Sequence, residues 1–168
     1  MRPEEWIALE RRDVDTRTGI VHVRRVVTDG ELKLYGKQAR SLRTVPLPVR
    51  AAEALADLPA RIDTPLLFPG AKGGYLNLHN WRAHHWTPAV RAAGLAHRPP
   101  YALRHTFAAF SIAAGVSLYD LARFMGTSVD QIDKTYGHLL PDSLERTRSA
   151  LDAFIDDARA EAEERLGH

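Results

Sequence analysis

Residues 101–107 read Tyr101-Ala102-Leu103-Arg104-His105-Thr106-Phe107, and residues 134–141 read Lys134-Thr135-Tyr136-Gly137-His138-Leu139-Leu140-Pro141. Arg104 falls in the first turns of a predicted helix, where unpaired backbone N–H groups and the helix dipole favour an anion. Its planar guanidinium matches the oxygens of a phosphate, and a tyrosine can supply a nucleophile. The two segments therefore suit phosphoryl transfer through a tyrosyl ester. Ordinary roles remain open at this point, namely an ion-paired arginine and a half-buried tyrosine.

Around these segments the sequence predicts a mainly helical domain. The first helix starts with Pro3 in its first turn and acidic residues near the positive end of its dipole. Glycines are expected to end several of the later helices. The predicted helices cover residues 3–11, 48–58, 78–93, 101–114, 117–125, a segment starting at 128, and 142–165, with a short buried segment at 66–68.

A small sheet is predicted near the start of the chain. Residues 20–27 are β-branched and alternating, which indicates a strand. Asp29-Gly30 is a hairpin signal, so residues 31–35 should return antiparallel, and a basic loop leads to a third strand at 42–46. The predicted fold class is α+β, mainly α, with a three-stranded antiparallel sheet in a single domain over residues 1–168.

Together with Met1-Arg2-Pro3-Glu4-Glu5, Gly36-Lys37 and Arg43-Thr44-Val45-Pro46-Leu47, these segments resemble the catalytic domain of tyrosine recombinases of the phage integrase type. The resemblance covers nearly the whole chain, and its elements occur in the family's order. It implies a site-specific recombinase or integrase that cleaves and rejoins double-stranded DNA through a 3′-phosphotyrosyl intermediate. Arg2 and Arg104 would stabilise the phosphate oxygens, Lys37 would protonate the leaving oxygen, and Tyr136 would be the nucleophile.

Two positions depart from the family's pattern. Tyr101 stands where the family usually has a histidine that transfers protons, and a phenol is a poor base near neutral pH. Thr127 stands where the family usually has His or Trp, and with Asp130 it is expected to form a capping box for the next helix. We count both among the candidate catalytic residues. His105 is expected to orient the site rather than to act as the main base, and His138 is a second supporting residue.

DNA contacts are expected from the basic part of the chain. Residues 152–168 hold six of the 21 acidic residues and two of the 23 basic ones, which leaves residues 1–151 with 21 basic and 15 acidic residues. An excess of basic residues in this part of the chain suits a partner that carries phosphates. An arginine-rich solvated surface explains the same excess about as well. Arg40 and Arg43 are the candidate contacts to the DNA backbone. Two other functions are alternatives to the recombinase. One is a catalytically impaired DNA-binding remnant or regulator, and the other is a helical interaction domain without a DNA role.

The remaining expectations concern cofactors, location and assembly. The chain has no cysteine, its histidines follow no metal-binding pattern, and the chemistry needs neither a metal nor another cofactor. A cytoplasmic, nucleoid-associated protein without a membrane span is expected. Compared with the family, the helices before the first catalytic arginine and the core DNA-binding domain are absent, which indicates a fragment or a truncated product. The apolar stripe of the final helix is expected to pack within the chain when free, or to exchange between copies to make a dimer. Self-assembly into a tetrameric synapse on DNA is expected to use the same helix.

Overall fold

The structure is a computed structural model that describes residues 1–28, 30–34, 42–140 and 143–166. Its helices are α1 Pro3–Ile7, α2 Val49–Ala56, α3 Leu78–Trp81, α4 Thr87–Ala92, α5 Ala102–Ala113, α6 Leu118–Met125, α7 Val129–Tyr136 and α8 Ser143–Leu166. Its strands are β1 Val14–Asp15, β2 Ile20–Val23, β3 Arg25–Thr28, β4 Glu31–Leu34 and β5 Arg43–Pro46. The predicted mainly helical α+β class is confirmed. None of the helices in these ranges is both long and apolar enough to cross a lipid bilayer.

The strands form two small antiparallel sheets. One sheet has the order β1-β2-β5, and β3 pairs with β4 in a separate two-stranded sheet. The hairpin predicted from Asp29-Gly30 is confirmed, because Thr28 is opposite Glu31 and Gly30 has a positive φ of 80°. The single strand predicted over residues 20–27 is wrong, since the chain leaves the first sheet at Arg24. Its two halves therefore pair with different partners.

The first helix is shorter than predicted. It ends at Ile7 rather than at Arg11, and the Leu67 N–H then bonds to the Leu9 carbonyl at 2.8 Å. A 3₁₀ turn follows over Arg11–Asp13, where a turn had been expected. Arg25, whose side chain is only 8% exposed, forms ion pairs with both Glu10 and Asp13. These long-range contacts tie the end of α1 to β3 and stop the helix early, which local helix propensity does not reveal.

The second half of the chain packs as a helical unit around one apolar cluster. The cluster joins α5, α6 and α7, and its buried members are Ala108, Ile112, Leu121, Ala122, Met125, Ile132 and Tyr136. Glycines in the left-handed conformation end α4, α5 and α6, as the sequence predicts. A π-helical turn at Arg82–Trp86 joins α3 to α4, so the helix predicted over 78–93 contains an irregular turn at its centre.

The final helix, α8, exposes its apolar residues. Within the described part of the chain they remain in solvent: Leu144 is 80% exposed, Leu151 55%, Phe154 72% and Ile155 44%. The predicted packing of this stripe against its own domain is therefore wrong for this conformation. An exposed apolar stripe of this kind marks a surface that a partner can cover.

Candidate functional site

Three arginines converge on the carboxyl end of α6. The peptide carbonyls at a helix C-terminus lack intrahelical partners and carry a partial negative charge, so this end favours cations. The contacts are Arg43 Nε to the Phe124 oxygen (2.9 Å), Arg104 Nη2 to the Met125 oxygen (2.7 Å) and Arg2 Nη2 to the Gly126 oxygen (3.3 Å). The helix end therefore gathers side chains from α1, β5 and α5 at one place.

Gly126 makes this convergence sterically possible. Its φ of +63° lies in the left-handed region, where other residues are strained. A Cβ atom at this position would come within 2.8 Å of the Arg43 guanidinium carbon. The glycine therefore both ends α6 and leaves space for the arginine that packs across its backbone.

Arg104 is the most buried of the candidate phosphate ligands. Only 6% of the residue is exposed, and its Nη2 donates to the Met125 carbonyl. Its Nη1 is buried and has no hydrogen-bond partner among the residues that the structure describes. Burial lowers the pKa of Arg104, but an arginine remains charged near neutral pH. A buried, charged donor without a protein partner is suited to an anionic ligand such as a phosphate.

Arg43 has a structural role, which corrects its expected contact with the DNA backbone. Its side chain is 7% exposed, and its two terminal nitrogens donate to the two oxygens of Glu5 at 3.0 and 2.7 Å. Because the guanidinium is already bonded to this carboxylate and to the end of α6, it is not available to a DNA phosphate.

Glu5 is the residue that the sequence reasoning missed. It is 1% exposed and, besides Arg43, it accepts the backbone N–H of Arg2 at 2.7 Å. Its position three residues after Arg2, at the third position of α1, is where an acidic side chain commonly reaches back to the helix start. That local signal was present, but the partner Arg43 is distant in sequence. Glu5 thus holds the backbone of Arg2 and the side chain of Arg43 together.

Tyr136 ends α7 with its phenol directed to α5. The residue is 7% exposed, and its Oη lies 2.9 Å from Nδ1 of His105. Burial raises the pKa of Tyr136, and the positive charge of Arg104 acts in the opposite direction. The structure thus brings the predicted nucleophile, the predicted phosphate ligand and the neighbouring histidine into one site.

Tyr101 and Thr127, the two residues that depart from the family's pattern, have different surroundings in the fold. The Tyr101 ring meets the His105 ring edge-on with 5.3 Å between their centroids, and Tyr101 is 42% exposed. Thr127 follows the end of α6 and donates its backbone N–H to the Ala122 carbonyl at 3.0 Å. The expected capping role of Thr127 is wrong, because Ser128 caps α7 through a 3.1 Å bond from the Gln131 N–H to its hydroxyl.

Other candidates are exposed or fall outside the described residues. Lys37 and Arg40 lie in the undescribed segment 35–41, so their predicted roles stay predictions. His138 is exposed in the 3₁₀ turn that follows Tyr136. No group of three or more His, Asp or Glu side chains suited to a metal ion occurs within the described ranges.

A wide groove elsewhere on the surface is separate from this site. Its volume is about 840 Å³, and it is lined by the loop before α3 and by α3 itself. Arg61, Lys72 and Trp81 are among its lining residues, whereas neither Arg104 nor Tyr136 is.

Comparison with known proteins agrees with the resemblance seen in the sequence. The model of the phage integrase family matches residues 1–142. Prophage integrase IntR of Escherichia coli K12 is 30% identical over 92% of this chain, which spans 44% of the length of IntR.

Solved structures share the fold. The Tn1549 transposon integrase in complex with circular intermediate DNA superposes with a TM-score of 0.68 at 16% identity, covering 92% of this chain and 56% of that one. The XerA recombinase superposes with a TM-score of 0.63 at 23% identity, covering 90% of this chain and 51% of that one. The chain thus spans about half the length of these proteins.

Proposed function

This chain belongs to the phage integrase family, and from that membership we propose that it cleaves and rejoins double-stranded DNA with Tyr136 as nucleophile. The observation that carries the proposal is the position of the Tyr136 phenol. It lies in hydrogen-bond contact with His105 and within the electrostatic influence of Arg104, the residue that precedes His105 in α5. A tyrosine that is bonded to an imidazole and lies within the field of a buried guanidinium suits attack on a phosphodiester.

The proposed reaction has two phosphoryl-transfer steps. The Tyr136 oxygen forms a bond to phosphorus while the bond from phosphorus to the 5′-oxygen breaks, which leaves a 3′-phosphotyrosyl ester and a free 5′-hydroxyl. A 5′-hydroxyl of another strand then attacks the ester, reforms the phosphodiester and releases Tyr136. Arg2 and Arg104 stabilise the charged oxygens in both steps, and Lys37 gives its proton to the leaving 5′-oxygen. Removing one such donor costs on the order of 100- to 1,000-fold in rate.

A nicked substrate, from which the short 5′-hydroxyl fragment diffuses away, tests this proposal. Wild-type chain should accumulate a covalent adduct that migrates slowly in a denaturing gel, and mass spectrometry should map the DNA to Tyr136. Tyr136→Phe should bind the same DNA with unchanged affinity and give no adduct. An adduct that survives in this variant, or that maps to Tyr101, contradicts the assignment.

A DNA-binding remnant or regulator of the same fold is the second candidate function. It is favoured by Tyr101 and Thr127, because the first stands where the family usually has His and the second where it usually has His or Trp. In that case the chain binds DNA with a strong dependence on salt but forms no adduct on the nicked substrate. Changing both residues to histidine should raise cleavage if they weaken the site, and a fall would show that this site works with a different arrangement.

Self-assembly through α8 is the third part of the proposal. The support is the exposed apolar stripe of that helix, which a second copy of the chain can cover on DNA. Light scattering should show a mass that increases with concentration or on DNA, and loss of this increase when residues 143–168 are removed. A chain that is monomeric at high concentration, both free and bound to DNA, contradicts this assembly.

A further inference from the structure

We propose that His105 is the general base that removes the proton from Tyr136, in place of the residue at position 101. This inference rests on the proposed function and goes beyond the orienting role that the sequence suggested for His105. It assigns the proton-transfer step to a side chain that is already in hydrogen-bond contact with the Tyr136 hydroxyl.

The first support is geometric. Nδ1 of His105 lies 2.9 Å from Oη of Tyr136, within the range over which a base can take a proton directly. His105 and Arg104 are adjacent in α5, so the helix that places the phosphate ligand also places the imidazole. The rings of His105 and Tyr136 lie with centroids 5.8 Å apart at 58°, a tilted packing rather than a stack.

The second support is the different exposure of the two partners. Tyr136 is 7% exposed, so most of the residue is shielded from solvent. His105 is an exposed residue, and its ring can exchange protons with solvent. Imidazoles in general titrate near neutral pH, whereas phenols do not. Among the described residues in contact with the Tyr136 hydroxyl, His105 is the one with basic chemistry.

The tautomer of His105 determines where each proton goes when Tyr136 attacks the phosphorus. Neutral His105 accepts at Nδ1 and carries its hydrogen on Nε2. As the Tyr136 oxygen attacks phosphorus, its proton moves to Nδ1 and gives an imidazolium, while the 5′-oxygen leaves with a proton from Lys37. On rejoining, the attacking 5′-hydroxyl gives its proton to the neutral amine of Lys37, and the imidazolium returns its proton to the phenol oxygen as the phosphotyrosyl bond breaks. Tyr101 packs edge-on against the ring, so in this proposal it is a positioning residue.

Three variants separate proton transfer from positioning. His105→Asn keeps a side chain that can bond to the Tyr136 hydroxyl but cannot take its proton, and His105→Ala removes both functions. His97→Ala removes an exposed histidine in the loop before α5 and is the matched control. On the nicked substrate both His105 variants should slow adduct formation by about 100- to 10,000-fold, with DNA affinity and thermal melting close to wild type.

Added imidazole is the decisive reagent. It should restore part of the rate in His105→Ala, with a rate that increases with the pKa of substituted imidazoles, and it should not change His97→Ala. Cleavage by His105→Asn at the wild-type rate, or an absence of rescue in a folded His105→Ala, overturns the base role.

The tautomer can be measured without any cleavage. In the free wild-type chain, ¹⁵N NMR should show the hydrogen of neutral His105 on Nε2, and a hydrogen on Nδ1 overturns the proposal. A wild-type chain that binds DNA but never forms an adduct overturns the proposed function and the base role together. If His105→Asn forms the adduct as fast as wild type, the base role of His105 is overturned and the proposed function is not.

Discussion

Replacing Glu5 with glutamine should show how much the site depends on its buried ion pair. The carboxylate is 1% exposed and accepts bonds from the Arg43 guanidinium and from the Arg2 backbone. Glutamine has nearly the same volume, but its NH₂ group faces a guanidinium and leaves the charge of Arg43 uncompensated. The change therefore tests the charge of this contact with little change in packing.

Breaking a buried pair by removing one partner typically costs about 3–5 kcal/mol. Since glutamine retains one oxygen as an acceptor, the lower end of that range, about 3 kcal/mol, is expected for Glu5→Gln. For a domain of this size each kcal/mol lowers Tm by about 2–4 °C, so the melting temperature should fall by about 6–12 °C. Adduct formation should fall as well, because the Arg43 guanidinium is no longer fixed beside the end of α6, where Arg2 and Arg104 also bind.

Glu145→Gln is the matched control, since it makes the same chemical change in α8. Glu145 and its partner Arg148 are about 70% exposed, and such pairs contribute less than about 1 kcal/mol. Urea unfolding of both variants, followed by circular dichroism, measures the difference. Glu5→Gln combined with Arg43→Met should then recover part of the loss, because the unpaired buried charge is removed.

Equal stabilities for Glu5→Gln and Glu145→Gln refute the reasoning. An additive double variant, in which Arg43→Met costs the same with or without the carboxylate, refutes the direct coupling between the two side chains. A loss of stability without any loss of adduct formation restricts Glu5 to a structural role.

Four further outcomes are expected. Gly126→Ala should destabilise the chain by about 1 kcal/mol or more in urea unfolding, since alanine is strained at positive φ and its methyl group meets a guanidinium; a neutral effect contradicts the close contact. Arg104→Lys should lower the cleavage rate far more than DNA affinity, measured by adduct formation and gel shift, because lysine cannot copy the planar contact; equal losses reduce the residue to a positioning contact. Burial raises the pKa of Tyr136, so its phenolate absorbance, isolated as the difference between wild type and the phenylalanine variant, should develop at a higher pH than that of an unfolded tyrosine. Because the folded state favours the neutral phenol, this contribution to stability is complete below the pKa of the unfolded tyrosine and is lost as pH rises through the raised pKa. Leu151→Ser with Phe154→Ser should abolish any concentration-dependent mass in light scattering with little change in Tm, and a large fall in Tm shows instead that the stripe is buried in solution.

The candidate site could be predicted in part from local patterns. Arg104 and Tyr136 each stand in a segment whose residues are informative by themselves, and the structure places their side chains in one site. The hairpin at Gly30 was equally predictable, because a positive φ at a tight turn is a local requirement. The early end of α1 could not be predicted, since it depends on ion pairs of Arg25 with Glu10 and Asp13, which come earlier in the chain.

The expected DNA contact of Arg43 shows why local composition can mislead, because the fold pairs this residue with Glu5. A basic residue near a basic loop suggests a phosphate contact, but the fold places its guanidinium against a carboxylate from α1. An ion pair between distant residues leaves no periodic signal, because neither partner constrains the identity of its neighbours in sequence. The capping of α7 by Ser128 instead of Thr127 is a smaller case, in which the two candidates are adjacent and only the backbone angles decide.

By itself, the sequence determined the helical content, most helix ends, the hairpin and the identity of the two residues that bear the proposed chemistry. All of these follow from short-range rules, such as side-chain periodicity, glycine conformations and the chemistry of single residues. Only the tertiary structure decided which strand pairs with which, that three arginines meet at the carboxyl end of α6, and that His105 touches the phenol of Tyr136. Those arrangements depend on contacts between residues far apart in the chain, whose geometry is set when the apolar faces of α5, α6 and α7 pack together.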